Sequence, residues 1–178
     1  PRAEFYAEQA LRNVFKAGSV QQYASTFLCR SIVYHMQGSR AEAENFLIKA
    51  MDYCRKSPDC QTEFACKLVR AEFSFEENDK EATVEFLQQA FSLGQKYGYM
   101  NVLFWDSLRM SKLCAVALAY DVETHYVRSL IKQRELKPPA SNPPEKWPWP
   151  LRIYTLGTFE IFRHDDRITF KGKVQKRP

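Results

Sequence analysis

No stretch of this sequence is apolar for long. The longest charge-free segments are Ala17 to Cys29, rich in Ser, Gln and Thr, and shorter runs such as Leu113 to Tyr120. Both fall well short of the ~20 apolar residues a bilayer-spanning helix needs. The first residues carry an amphipathic helical pattern without the apolar stretch of a signal peptide. A soluble, cytoplasmic protein with no membrane partner is therefore expected, and the chain reads as a piece excised from a larger one. Histidine is scarce, and His35, His125 and His164 are scattered. The five cysteines (Cys29, Cys54, Cys60, Cys66, Cys114) lack the pairs two to four residues apart that zinc sites use. Reduced thiols and no metal are expected, with a Cys54–Cys60 bridge as the alternative under oxidation. Lys171-Gly172-Lys173 lacks the preceding Gly and the following hydroxyl of a phosphate loop. No Ser-His-Asp, Cys-His or paired-carboxylate arrangement stands out, and Glu76-Glu77 reads as a solvated helix end. The sequence points to no catalytic residue and no cofactor, so a non-enzymatic protein is expected.

What is present is an ordinary globular mixture. Hydrophobic residues make up 45% and charged residues 26% of 178, which suits one domain with a small appendage. The net charge of +5 invites a nucleic-acid reading, but its placement is uneven. Residues 1–136 hold 17 Lys/Arg against 17 Asp/Glu, and residues 137–178 hold 9 against 4. The whole excess lies in the tail.

Proline marks the boundary between the two. Pro138, Pro139, Pro143, Pro144, Pro148 and Pro150 cluster where a helix cannot continue, so 137–150 is read as an extended linker. Before it, residues 1–136 carry helical periodicity throughout: Ala7, Ala10, Leu11, Val14, Phe15; then Ala24, Phe27, Leu28, Ser31; then Ala43, Phe46, Leu47, Ala50, Met51, Cys54. Ser19 with Gln22 and Ser39 with Glu42 have capping-box spacing, and Asp59, Asp79 and Asp121 suit N-caps. Seven helices follow, over 2–17, 20–37, 40–56, 60–76, 80–97, 100–119 and 122–136. The stripe from Ala43 to Cys54 recurs as Thr83, Phe86, Leu87, Ala90, Phe91 and Gly94, an offset of 40, and Leu28 and Ser31 map to Leu68 and Ala71. A fixed period containing two helices signals stacked antiparallel helical hairpins.

The turn Gln37 to Ala43, with Phe27, Ser31 and Tyr34 before it and Leu47 and Ala50 after it, resembles the tetratricopeptide repeat. The next unit departs from that pattern, with Lys67 and Ser74 at the aromatic positions, and the period exceeds the usual ~34. The region is thus tetratricopeptide-like. The resemblance makes Tyr23, Tyr34, His35 and Met36 candidates for the lining of a concave groove; interhelical packing would use the same positions.

Past the linker the period becomes alternating. Leu151 to Leu156, Phe159 to Arg163 and Arg167 to Phe170 read as a short antiparallel β meander, giving a mainly α fold overall. So few strand residues make no independent core, so the meander is expected to lean on the helices or a second chain. The stretch Trp147 to Ile161, followed by His164-Asp165-Asp166 and Lys176-Arg177-Pro178, resembles the start of the winged-helix domain of OmpR-like, antibiotic-regulator-type bacterial activators. In one group, the large MalT-like regulators, that domain follows a helical-repeat region. The segment Glu123 to Glu135 is similar to the helix that precedes the linker there. The resemblance implies that 151–178 holds the first strands of a truncated DNA-binding domain. Lys171, Lys173, Lys176 and Arg177 would then touch the phosphate backbone in the full-length protein, or else form a solvated basic rim.

The resemblance further implies a regulatory fragment of a transcriptional regulator. Its helical part would take a small-molecule effector, a protein partner or a second protomer, and pass that state to DNA through residues beyond this chain. The alternative is a tetratricopeptide-like protein-interaction scaffold unrelated to DNA.

Overall fold

The computed structural model describes residues 2–56, 60–141, 143–163 and 166–169. Among them, seven helices are followed by a three-stranded sheet: α1 (Arg2–Ala17), α2 (Val20–Met36), α3 (Arg40–Arg55), α4 (Cys60–Glu76), α5 (Lys80–Tyr97), α6 (Ser107–Ala119) and α7 (Thr124–Gln133), then β1 (Leu151–Tyr154), β2 (Glu160–Arg163) and β3 (Asp166–Arg167). The fold is mainly α with a small antiparallel sheet, as the periodicities require. The expected N-cap Asp59 lies outside the described residues.

α2 pairs with α3 and α4 with α5 as antiparallel hairpins, and α1 packs on α2. The 40-residue offset is visible in burial. Ala43, Leu47, Ala50 and Cys54 of α3 are buried, and so are Thr83, Leu87, Ala90 and Gly94 of α5. The period carries on into α7, where Tyr126, Val127, Leu130 and Ile131 answer Phe86, Leu87, Ala90 and Phe91 and are all buried. The first seam closes because Ser31 and Ala43 are small enough for two backbones to approach, and Ser31 Oγ donates to the Ala43 carbonyl at 2.7 Å. α4, the first helix of the second hairpin, also packs on α2, α3 and α6 and is buried around most of its circumference, from Thr62 through Phe64, Leu68, Ala71 and Phe73 to Ser74.

Helix ends follow a shared device. Gly38 and Asn78, 40 residues apart, take left-handed backbone (φ 77° and 58°), and the following amides reach back to Tyr34 (3.0 Å) and Ser74 (3.0 Å). These bonds satisfy carbonyls the helix leaves open. At the other end of α2, the Ser19–Gln22 capping box forms, with Ser19 N–H donating to Gln22 Oε1 at 2.8 Å and Gln22 N–H to Ser19 Oγ at 3.4 Å. Asp79 also caps as expected, accepting from Ala82 N–H at 3.0 Å.

Three expectations change. Ser39 makes no side-chain cap, although its backbone (φ −84°, ψ 75°) is close to that of Asp79 (φ −83°, ψ 92°), which does. α6 starts at Ser107 rather than near residue 100: α5 stops at left-handed Gly98, Phe104 also has positive φ, and Asp106 caps the new helix through Arg109 N–H at 2.9 Å. Asp121 terminates α6 instead of starting α7, with φ 58° and Val122 N–H returning to Ala117 at 2.9 Å. Left-handed Glu123 then delays α7 to Thr124.

The sheet has order β1-β2-β3, with Leu151 opposite Arg163 and Ile153 opposite Ile161. Leu151, Ile153 and Ile161 therefore share one face, and Leu151 and Ile153 are more than half exposed. Among the described residues no strand runs within backbone contact of a helix, so of the two supports expected for the meander, the helices or a second chain, the first is not seen.

Gly94 marks the tightest helix contact: a Cβ there would sit 2.2 Å from the hydroxyl of buried Tyr126. Gly94→Ala is expected to destabilise by about 1–3 kcal/mol in urea unfolding, despite alanine's better helix propensity, since overpacking outweighs it. Adding Tyr126→Phe, which removes the closest atom, should recover part of the loss in a double-mutant cycle.

Candidate functional site

The four groove candidates do not share one surface. Tyr23 stacks on Tyr53 with centroids 5.1 Å apart, and Tyr34 stacks on Phe46 at 5.4 Å while its hydroxyl accepts from Arg30 Nη2 at 2.6 Å. Both rings fill the α2–α3 seam. His35 points the other way and lies on Phe73 of α4, centroids 4.5 Å apart. Met36 is 78% exposed at the helix end. The four basic candidates Lys171, Lys173, Lys176 and Arg177 lie outside the described residues.

His35 belongs to a polar network that local spacing does not reveal. Its Nε2 is 3.3 Å from Glu76 Oε2. Arg40, opening α3, donates to Glu77 Oε1 at 2.8 Å and to the Phe73 carbonyl at 3.0 Å, so Glu76-Glu77, exposed as expected of a solvated helix end, is also held by ion pairs. Arg109 of α6 reaches across to Glu72 with Nε 2.9 Å from Oε1. Burial raises the pKa of the Glu72 carboxyl, and the Arg109 charge and hydrogen bond oppose that rise. Donor atoms of His35, Glu72 and Glu76 lie within 4.8 Å of one another, a spacing that could serve a cation. Both carboxylates already have arginine neighbours, so the chemistry present is a clamp of ion pairs joining α2, α3, α4 and α6.

A second feature is a groove of about 840 Å³ between the α4–α5 turn, α6 and the proline-rich segment. Phe75, Leu108, Val116 and Tyr120 form its helical wall, Pro139 and Pro143 the opposite one, and Lys80 and Lys112 stand within it. The proline segment is docked instead of being a free linker. Ser111 Oγ donates to the Lys137 carbonyl, Lys146 pairs with Asp121, and Trp147 is 3% exposed within the helical core. Prolines forbid helix, but they leave the intervening tryptophan free to bury.

Burial governs two thiols and one phenol. None of the five cysteines forms a disulfide. Burial raises the pKa of Cys114 and of Cys29, where Arg30 opposes it, so both stay protonated at neutral pH. Burial likewise keeps Tyr126 a neutral phenol, suited to its hydrogen bond to the Tyr99 carbonyl. No helix among the described residues is long and apolar enough to cross a membrane.

Arg109→Ala should cost about 2–3 kcal/mol near neutral pH, because it leaves a buried carboxylate without its cation. The raised Glu72 pKa means that deprotonation costs the fold stability as pH rises through it, and Arg109 offsets that cost. The gap between the two proteins in thermal melts should therefore narrow on acidification, as Glu72 takes up its proton. Trp147→Ala should destabilise by about 3–5 kcal/mol and expose the 137–150 segment to limited proteolysis. No family model, curated protein or solved structure matches this chain.

Proposed function

We propose that the chain is a regulatory piece of a bacterial transcriptional regulator, in which the helical array receives a signal and β1–β3 begin a winged-helix DNA-binding domain. The observation that carries this reading is the sheet. A three-stranded antiparallel meander with an uncovered Leu151–Ile153–Ile161 face has no core of its own, and it follows immediately on a segment anchored by Trp147. Further helices on that face would complete a small domain, as the resemblance at Trp147 to Ile161 implies.

In this reading the helical hairpins are the sensing part and the docked 137–150 segment is the coupler. A ligand or partner that favours the docked over the undocked segment would change how the DNA-binding domain is presented, by no more than its differential affinity for the two states. The groove of about 840 Å³ touches both the helices and this segment, so an occupant there would bias that equilibrium directly. The same groove also suits the second reading, a scaffold holding an extended peptide, in which the sheet has no DNA-binding role.

Reading and expressing the coding sequence past residue 178 tests the proposal. Two following helices and a hairpin, with salt-dependent binding of the extended protein to promoter DNA, are expected. A stop codon, unrelated sequence, or a folded extension with no DNA affinity at low salt would refute it.

A further inference from the structure

The stripe shared by α3 and α5 also occurs on α1, as Ala3, Tyr6, Ala7, Ala10, Leu11 and Val14, 40 residues before Ala43 to Cys54. α1 is therefore the second helix of a repeat, in the position of α3, α5 and α7. In α3 this stripe meets the first helix of its own hairpin at defined points. The Ala43 carbonyl accepts from Ser31, Phe46 stacks on Tyr34, and the Arg30 guanidinium lies 4.9 Å from the Phe46 centroid. In α5 the arrangement recurs: Arg70, 40 residues after Arg30, lies 5.7 Å from the centroid of Phe86. Ala43, Ala50, Thr83 and Ala90 are at most 1% exposed as a result.

On α1 one half of the stripe is used and the other is not. Ala7 is buried and Leu11 and Val14 are half-buried where α1 packs on α2. Ala3 and Ala10 are exposed, and Tyr6, in the place of Phe46, is 66% exposed, and its ring meets that of Phe5 edge-on at 5.5 Å.

We propose that Ala3, Tyr6 and Ala10 form a docking face for one more helix with the surface of α2, supplied by a further repeat unit of the same array. The occupant would carry a small residue against the Ala3 backbone, as Ser31 does at Ala43, and an arginine over Tyr6, as Arg30 and Arg70 do at Phe46 and Phe86. Alanines at both ends of the face set a close backbone approach, and the ring of Tyr6 supplies the cation–π partner. The occupied copies of this face on α3 and α5 thus describe what covers the one on α1.

The test duplicates residues 19–40 ahead of residue 1, so that the copied helix and turn enter α1 in the register in which α2 enters α3. The extended chain should melt about 5 °C or more above the parent. Tyr6→Asp should abolish that gain while leaving the parent's melting unchanged. A copy joined one residue out of register should give no gain. Equal stability of the in-register and offset copies, or a gain that survives Tyr6→Asp, would overturn the proposal. So would sedimentation showing the parent to be a dimer that Tyr6→Asp dissociates, since a second copy would then cover the face.

Discussion

The whole helical region depends on how closely two helices can approach when the residues between them are too small to keep them apart. Ser31 and Ala43, Ala71 and Ala90 are fully buried, and at the first of these seams the side chain bonds the neighbouring backbone. Such a seam is short-range and directional: larger residues would push the helices apart and expose the bulky groups at its flanks, Phe46 and Phe86. Once each hairpin is closed, its outer surface is apolar and must be covered by the next, and α4, where the second hairpin meets the first, is buried along much of its length. Stacking then follows from the seams.

The polar clamp adds a different constraint. Arg109 and Glu72 are drawn from α6 and α4, while Arg40 and His35 hold the turn between α2 and α3 to the end of α4. These contacts fix the angle between units that apolar packing alone would let slide. Because Glu72 is partly buried, the clamp works only while its cation is present.

Helix identity, order and the repeat were legible because they rest on residues three, four and forty apart. Caps were legible from residue type and spacing at Ser19 and Asp79; Ser39 fits the same pattern without capping, and Asp121 fails because it is itself left-handed and ends α6. The break before α6 was hidden because Asp106 looks like any surface acid until Phe104 and Gly98 are known to be left-handed. The Glu72–Arg109 pair has no local spacing, and Trp147 sits among prolines that suggest solvent; both are set by tertiary contact. Of the groove candidates, Tyr23 and Tyr34 occupy positions where packing and binding demand the same aromatic residue, so only the direction of the side chain separates the two.

The buried Trp147 acts as a short leash. Only three residues separate it from Leu151, so the start of the sheet is confined to a sphere of roughly 13 Å radius around it. Any surface within that sphere meets the sheet at an effective concentration on the order of tens of millimolar or more. Anything that binds the uncovered face of Leu151 and Ile153 is thereby held close to the helices as well.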